Sequence, residues 1–301
     1  MAPRRALVIG AGNMGVGIAL DLARAGVAVK LTSRSGARRV SARKSIADLA
    51  AELTQALGLS LGWETTIEVV DEASSFEPDF IVEAIVEQAA AKRDLFKELE
   101  VRWLGVPIWS TTSAIRPSEM TGGLAKPDNV LVAHYANPAY LIPVVEIVPG
   151  PLTRPSVVTD CVAALTSWGK RPVVIRGEPP GFVFNRLQYA VVREAISLVS
   201  RGVISAEDLD AVVTEGYGLR LPVVGPLAMV DLSTLEVYAR IAKLIVPDLA
   251  RDEQLSVLDD MQAQDLSFLA WGPGEQAHRR MALRTELIRR AREREALTGA
   301  E

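Results

Sequence analysis

The chain has 301 residues, 49% of them hydrophobic, which is enough for two domains whose cores need no cross-links. A single cysteine, Cys161, excludes an internal disulfide, and one thiol with two distant histidines cannot build a metal site, so we expect a reducing cytoplasm and no metal. A net charge of −4 without a basic stripe argues against nucleic acid as a partner, and the apolar run behind the basic start is too short for a signal peptide or a membrane span.

The chain begins with the pattern of a strand, a glycine-rich turn and a helix. Residues 6–10 form an apolar run, and a helical pattern covers residues 14–25. Gly10 permits a tight turn, Gly12 lets the backbone approach a pyrophosphate, and Gly15 lets helix and strand pack closely. The pattern favours a dinucleotide site over a plain strand-turn-helix unit. The expected cofactor contacts here are Gly10, Gly12, Asn13, Met14 and Gly15.

The end of the second predicted strand, residues 27–32, lacks the acid that bonds the adenosine ribose in many enzymes that use NAD. Ser33 and Arg34 stand there, and Arg38 and Arg39 follow. A carboxylate repels a 2′-phosphate, whereas a guanidinium forks onto it. We therefore expect NADP(H) in preference to NAD(H), bound by Ser33, Arg34 and Arg38. The alternative is an NAD site held by Ser33 beside an exposed basic loop.

Strands and helices alternate as far as residue 175, which predicts a parallel, doubly wound α/β sheet. The further strand patterns cover residues 67–70, 80–85, 106–111, 130–132, 144–148 and 172–175. The further helical patterns cover residues 41–57, 89–104 and 155–168. Ligands of such sheets bind beyond the carboxyl ends of the strands. The residues expected at that edge are 10–12, Ser33, Arg34, Val86, Glu87, 110–113 and His134.

The stretch 130–149 carries the strongest catalytic signal. Its first apolar run delivers His134 at the end of a strand, and its second carries Glu146, an acid that needs a partner inside an apolar strand. The other histidine, His278, lies in an arginine-rich helical segment, so His134 is the candidate for acid–base chemistry. The alternative is a core histidine bonded to backbone carbonyls, and the polar residues at the neighbouring strand ends weigh against it.

The alternation stops beyond the linker-like residues 177–181. Helical patterns then cover residues 183–201, 206–215, 229–245, 253–263 and 275–295. We expect two domains, residues 1–179 with the sheet and residues 180–301 as a helical bundle. The apolar faces of the bundle favour a homodimer formed through its helices. Asn185 lies where the bundle begins, either as a helix cap or facing the crevice.

Six motifs form an ordered set along the chain. They are Gly10-Ala-Gly-Asn-Met-Gly-Val-Gly-Ile-Ala, Val82-Glu-Ala-Ile-Val-Glu with Lys92 and Leu95-Phe96 after it, Ser110-Thr-Thr-Ser, His134-Tyr-Ala-Asn-Pro, Val144-Val-Glu-Ile-Val and Gly181-Phe-Val-Phe-Asn-Arg-Leu. With these motifs the chain resembles the 3-hydroxyacyl-CoA dehydrogenase superfamily over nearly its whole length. Further segments resemble most its λ-crystallin and L-gulonate 3-dehydrogenase branch. These are Asn137-Pro-Ala-Tyr-Leu-Ile-Pro-Val-Val-Glu, Asn185-Arg-Leu-Gln-Tyr-Ala and Gly216-Tyr-Gly-Leu-Arg with Gly225-Pro226.

The resemblance implies a Rossmann-type sheet followed by an all-helical C-terminal domain, in an NAD(P)-dependent oxidoreductase. It implies that His134 is the general acid or base, that Glu146 orients it, and that two donors, Ser113 and Asn185, bond the reacting oxygen. The residues implied at the ribose and nicotinamide side of the cofactor are Glu87, Lys92 and Asn137. The chain departs from the family at Ser33, where the usual acid is missing, and in its Ser-Thr-Thr-Ser motif, which leaves Ser113 intact.

The hypothesis is an enzyme that moves a hydride between the nicotinamide and C3 of a small 3-hydroxy or 3-oxo acid or acyl thioester. Arg220 is either a fork for a substrate carboxylate or a surface residue over a helix pair. An acyl-CoA instead needs basic residues near helix 41–57, where Arg43 and Lys44 are available. Two alternatives stay open. One is a non-catalytic, crystallin-like structural or ligand-binding protein, and the other is a reductase of a carrier-bound β-keto group.

Overall fold

The computed structural model describes residues 3–60, 62–71, 75–264, 266–269 and 271–298, without the side chains of residues 273 and 295–298. The chain divides into two compact units, Met1–Arg186 with Met281–Glu301, and Leu187–Arg280. The first unit thus extends past the expected boundary at residue 179 and includes a C-terminal segment that the sequence pattern assigns to the helical domain. None of the described helices combines the length and the apolar character needed to cross a membrane.

The first unit is built on a sheet that has eight strands within the described residues. The strands are β1 (Arg5–Ile9), β2 (Ala28–Thr32), β3 (Ile67–Val70), β4 (Phe80–Glu83), β5 (Ile108–Ser110), β6 (Val130–Tyr135), β7 (Val144–Pro149) and β8 (Arg171–Val174). Their order is β3-β2-β1-β4-β5-β6-β7-β8, and β1 to β6 are parallel. The chain reverses its direction of travel across the sheet between β1 and β4, which is where such sheets bind ligands.

The predicted doubly wound sheet is confirmed, and it departs from the parallel arrangement at one pair of strands, β6 and β7. β7 pairs antiparallel with β6, and β8 is parallel to β7. The loop 136–143 that joins β6 to β7 is too short for the crossover that a parallel pair requires, so the two strands form a hairpin. The register of this hairpin places His134 directly opposite Glu146.

Helices cover both faces of the sheet. Within the described part of the chain, the α-helices are α1 (Asn13–Arg24), α2 (Gly36–Leu57), α3 (Ala89–Arg102), α4 (Pro117–Met120), α5 (Pro155–Ser167), α6 (Phe184–Ser200), α7 (Ala206–Ala211), α8 (Gly218–Arg220), α9 (Pro226–Leu232), α10 (Leu235–Ile245), α11 (Ser256–Ala263) and α12 (Pro273–Thr298). Short 3-10 helices cover Trp63–Thr66, Pro127–Asn129 and Val246–Asp248.

Two hydrophobic cores lie on opposite faces of the sheet because successive side chains of a strand point to opposite sides. In β1, Ala6 and Val8 belong to the core formed with α1, α2 and α5, whereas Leu7 belongs to the core formed with α3 and α4. Residues of α12, including the buried Ala291, join the first of these cores. The sheet is therefore covered on both sides, as its long apolar strands require.

The second unit is helical, with two departures from the expected pattern. The pattern over residues 229–245 forms two helices, α9 and α10, because Ser233 is extended and the Thr234 side chain caps α10 by accepting a hydrogen bond from the Val237 N–H. The pattern over residues 206–215 changes after α7 into a π-helix, Val212–Tyr217. Such π-helices are rare and often lie next to functional residues.

Candidate active site

The glycine turn joins β1 to α1 in a conformation that side chains would prevent. Gly10 has a φ of +121°, and a Cβ there would collide with the carbonyl oxygen of Ala84. A Cβ at Gly15 would collide with the carbonyl oxygen of Gly10. Gly12 is the N-cap of α1, and no described side chain caps the helix. The N–H groups of the first turn, which begins at Asn13 and Met14, are therefore available to an anion.

A cavity of about 610 Å³ extends from this turn to the end of β2. Its polar lining includes Ser33, Arg34, Arg38, Asp94 and Glu98. Nη2 of Arg34 lies 2.9 Å from both carboxylate oxygens of Glu98, and both side chains are largely exposed. The neighbouring Arg39 bonds the Ser33 carbonyl and Asp71 instead. The guanidinium groups that line this cavity are thus those of Arg34 and Arg38.

A buried cluster of charges follows the end of β4. Lys92 is 1% exposed, and its Nζ lies 2.6 Å from Glu83 Oε1 and 3.5 Å from Glu87 Oε2. Glu83 is fully buried and also accepts hydrogen bonds from the Ile85 N–H at 2.8 Å and from the Ser110 hydroxyl at 2.5 Å. Every charge in this cluster has a partner, which buried ions require.

Glu87 connects this cluster to the loop after β5. Its Oε1 accepts hydrogen bonds from the Thr112 hydroxyl, from the Ser113 N–H at 2.9 Å and from the Ala114 N–H at 3.2 Å. Burial acts to raise the pKa of Glu87, but these donors and the charge of Lys92 outweigh it and hold the pKa below its ordinary value. The ionised carboxylate therefore fixes the backbone at Ser113.

Ser113 is also held from its carbonyl side. Nδ2 of Asn185 donates to the Ser113 carbonyl oxygen at 3.0 Å. This contact joins the start of α6 to the loop after β5 and accounts for the side chain of Asn185 without a helix-capping role. The backbone of Ser113 is thus bonded on both sides, which leaves its exposed hydroxyl for other partners.

The hairpin of β6 and β7 carries the acid–base candidates. Nδ1 of His134 lies 2.8 Å from Glu146 Oε2, and both side chains are buried. Oε1 of Glu146 accepts hydrogen bonds from the N–H groups of Val183 at 3.0 Å and Phe184 at 2.9 Å. The preceding residue, Phe182, has a φ of +53°, which is strained for a residue other than glycine. Its ring centroid lies 5.4 Å from that of His134.

These contacts favour the ionised form of Glu146 and one tautomer of His134. Burial acts to raise the pKa of Glu146, but the hydrogen bonds from His134 and from the two N–H groups outweigh it and lower the pKa. An ionised carboxylate can only accept, so we assign the proton of a neutral imidazole to Nδ1. Nε2, which has no hydrogen-bond partner among the described residues, then carries the lone pair that a general base needs.

The other predicted site residues occupy different places. Asn137 lies in the loop 136–143 after His134, and the peptide bond between Asn137 and Pro138 is cis. Arg220 ends α8 in the second unit and is exposed. Each of the remaining predicted residues lies at the glycine turn, in the cavity or in the charge clusters described above.

Glu83 is a residue of this region that the sequence interpretation missed. It lies within the apolar run of β4, as Glu146 lies within the apolar run of β7. An acid inside an apolar strand is the signal that identified Glu146, and the same signal applies to Glu83.

Comparison with protein families gives two matches that together cover most of the chain. A model described as 3-hydroxyacyl-CoA dehydrogenase, NAD binding domain, matches residues 5–178. A model described as 3-hydroxyacyl-CoA dehydrogenase, C-terminal domain, matches residues 181–265.

Individual relatives are similar over most of their length. The 5-formyl-3-hydroxy-2-methylpyridine 4-carboxylate 5-dehydrogenase of Mesorhizobium japonicum is 32% identical over 84% of this chain and 83% of its own. A lambda-crystallin homolog of Bos taurus is 37% identical over 77% of this chain and 75% of its own. The crystal structure of a 5-formyl-3-hydroxy-2-methylpyridine 4-carboxylic acid 5-dehydrogenase, described as an NAD+-dependent dismutase, superimposes with a TM-score of 0.87 at 31% identity, covering 97% of this chain and 98% of that one.

Proposed function

The chain belongs to the 3-hydroxyacyl-CoA dehydrogenase family, and from that premise we propose that it interconverts the 3-hydroxy and 3-oxo forms of a small acid or thioester with NADP(H). Membership makes it a nicotinamide-dependent oxidoreductase. The observation that best supports the proposed chemistry is the 2.8 Å contact between His134 Nδ1 and Glu146 Oε2 at the carboxyl end of β6.

The glycine turn fits a dinucleotide. The crowding around Gly10 and Gly15 brings the start of α1 against β1, and the uncapped N–H groups of α1 face the place where a pyrophosphate binds in such folds. When bound, the nicotinamide cofactor supplies the hydride acceptor or donor. We assign Asn137 and the half-exposed Glu87 to its ribose and nicotinamide side, with Lys92 supporting Glu87 from behind.

The preference for NADP(H) is supported by the residues at the end of β2. Ser33 stands in place of an acid, and Arg34 and Arg38 line the cavity. The ion pair between Arg34 and Glu98 is exposed, and such pairs contribute about 0–1 kcal/mol, so Arg34 can exchange this carboxylate for a 2′-phosphate. The test is the ratio of kcat/KM for NADP+ to that for NAD+, which we expect to exceed one. A ratio below one would refute the preference.

His134 is the proposed general base in oxidation and the general acid in reduction. Glu146 holds Nδ1–H, so Nε2 is free to take the proton of the substrate hydroxyl. The imidazolium that forms is stabilised by the same carboxylate, as in a catalytic triad that has no nucleophile. The buried position of both side chains strengthens this attraction.

Ser113 and Asn185 are the proposed donors to the reacting oxygen. Glu87 and Asn185 bond the N–H and the carbonyl oxygen of Ser113, so the backbone that carries its hydroxyl is held by contacts that need no rearrangement during the reaction. The amide of Asn185 has two N–H donors. One donates to the Ser113 carbonyl oxygen, and the other is available to the reacting oxygen. Each such donor contributes about 3 kcal/mol in comparable sites.

A free carboxylate is the favoured substrate feature. The Mesorhizobium japonicum relative is named for a pyridine 4-carboxylate, which supports a free acid for this chain as well. Arg220 is the guanidinium that we propose for it. Of the cations that a CoA substrate would use, Arg43 donates to the Val69 carbonyl, whereas Lys44 pairs with Asp48 in an exposed contact that a phosphate can replace.

We further propose a homodimer formed by the second unit. Tyr238, Ile241 and Ile245 of α10 lie on one face at helical spacing and are all exposed. An apolar face of this kind is buried against a partner when a protein is stable in water. A second copy of the chain supplies a face of the same composition.

The activity is tested by following nicotinamide absorbance with a panel of 3-hydroxy and 3-oxo compounds, offered as free acids and as CoA esters with each cofactor. We expect turnover of at least one free 3-hydroxy acid. A catalytically silent protein across the panel that still binds NADP(H) would support the alternative of a non-catalytic, crystallin-like protein.

A further inference from the structure

A further buried ion pair contacts the loop 136–143, which joins β6 to β7. Nζ of Lys170 lies 2.7 Å from Oδ1 of Asp21, and both side chains are 3% exposed. Asp21 is on α1, and Lys170 directly precedes β8. The reaction described above uses neither residue.

The ammonium of Lys170 has further partners in the loop 136–143. It donates to the carbonyl oxygen of Ala139 at 2.7 Å and to that of Ile142 at 3.2 Å. Arg294 approaches a third carbonyl of the same loop, that of Leu141, at 3.5 Å. Carbonyl groups of the loop therefore converge on cations, and the carboxylate of Asp21 balances the charge of Lys170.

The same loop packs directly on α1. A Cβ at Gly17 would lie 3.5 Å from the side chains of both Ala139 and Tyr140, which is an ordinary contact distance, so the loop lies directly against this face of α1. Asp21 follows Gly17 by four residues and thus lies on the same face of α1. The helix whose start forms the glycine turn is therefore tied to the loop between His134 and Glu146.

Stability alone is a weak explanation for this pair. Burial raises the pKa of Asp21 and lowers the pKa of Lys170 because each charge loses hydration, while the attraction between the two charges opposes both shifts. Replacing such a pair by apolar side chains of similar volume is often neutral or stabilising. The hydrogen bonds to Ala139 and Ile142 are what an apolar replacement could not supply.

We propose that Lys170 is a positioning residue, whose ammonium, balanced by Asp21, fixes the loop 136–143 and thereby the alignment of His134 with Glu146. This inference rests on the proposed function of His134. Lys170 touches neither reacting atoms nor the acid–base pair, and acts through the backbone of the loop that joins the two strands.

The test compares Lys170→Met with the double variant Asp21→Leu/Lys170→Met. We expect the single variant to lower Tm by roughly 5 °C or more, because the buried Asp21 then keeps only the longer 3.9 Å ion pair with Arg24. The double variant should recover most of that Tm, yet keep kcat about tenfold below wild type with substrate KM nearly unchanged. Lys126→Met, which removes an exposed lysine that has no role in the proposed site, is the control and should change neither quantity.

Hydrogen exchange provides a readout that needs no turnover. The N–H groups of Leu141 and Ile142 both bond the Pro138 carbonyl, and their exchange should accelerate about tenfold in the double variant while β8 stays protected. Recovery of kcat together with Tm, or unchanged exchange in the loop, would overturn the proposal. If the wild-type protein turns over no substrate but the loop exchange still accelerates, the role of Lys170 in fixing the loop stands and the proposed function fails instead.

Discussion

The two compact units differ in how far they bury their own hydrophobic side chains. The first unit has a core on each face of its sheet, with fully buried side chains as large as Phe80 and Phe96. Among the described residues of Leu187–Arg280, Ile196 is the only buried hydrophobic residue. Most of the other large apolar side chains of that unit are exposed, on α10 above all.

We infer from this difference that the first unit carries the proposed catalysis and that the second unit carries the proposed dimer contact. The first unit completes its fold from its own residues and holds the glycine turn and the pair of His134 and Glu146. In the proposed dimer, the second unit buries its exposed apolar side chains against a second copy of the chain, which is the favourable contribution that it lacks alone. Changes at the pair should therefore alter turnover without altering assembly, and changes on α10 should do the reverse.

The largest effect is expected for Glu146→Gln. The amide can still accept from the Val183 and Phe184 N–H groups, but it presents a donor to Nδ1 of His134 and favours the tautomer in which Nε2 carries the proton. We predict that kcat falls about 10³-fold. Light scattering should find the same oligomer as in the wild type. A kcat within tenfold of wild type would contradict the assigned tautomer.

Assembly is tested by Ile241→Glu on α10. The residue is 43% exposed, and a charge there would have to be buried in the proposed dimer. We expect the dimer dissociation constant to rise at least about 100-fold, as measured by analytical ultracentrifugation. Val101→Glu is the matched control, because Val101 is a 90% exposed hydrophobic residue of the first unit and should leave the dimer intact. A monomeric wild-type protein would refute the proposed dimer.

The residues proposed to select the cofactor lie in the first unit. Replacing Arg34 and Arg38 by Ala should lower kcat/KM for NADP+ about 30-fold and leave that for NAD+ nearly unchanged, since only the former carries the 2′-phosphate. Glu98→Gln should act in the opposite direction, because it releases Arg34 from its carboxylate partner. Equal losses with both cofactors would show that the two arginines do not recognise the 2′-phosphate.

Arg220 tests whether the second unit also takes part in substrate selection. We predict that Arg220→Ala raises KM for free hydroxy acids about tenfold and leaves KM for CoA esters unchanged, because only the free acid has a carboxylate for the fork. Arg240→Ala, an exposed arginine of the same unit, is the control. An unchanged KM for every free acid would show that Arg220 does not bind the substrate carboxylate.

The smallest effect concerns acid stability. The pKa of Glu146 is lowered in the folded protein, so its contribution to stability is complete above the unfolded glutamate value of about 4.3 and is lost as pH falls through the lower folded value. Urea unfolding between pH 7 and 3 should therefore show a shallower loss of stability for Glu146→Gln than for wild type. Parallel curves would mean that Glu146 is not held ionised by its donors.

Much of the first unit could be predicted from the sequence because its signals are local. The glycine spacing, the apolar strands and the acid inside β7 each depend on a few adjacent residues. The antiparallel direction of β7 could also have been predicted, since the loop 136–143 is too short for the crossover between two parallel strands. Glu83 could have been found by the argument that identified Glu146.

The pairing of Asp21 with Lys170 could not be predicted in this way. Asp21 lies in an otherwise apolar part of α1, which indicates a buried acid, but nothing near it in sequence identifies a cation that precedes β8. The break between α9 and α10 was similarly hidden, because apolar spacing continues across Ser233. Contacts between distant segments, and the caps that end helices, depend on the folded structure.

Proton transfer by His134 is tested by measuring kcat and the dissociation constant of NADPH in one preparation of His134→Gln. We expect kcat to fall by about 10³-fold or more while the dissociation constant stays within about threefold of wild type. Retained turnover in this variant would show that His134 does not transfer the proton.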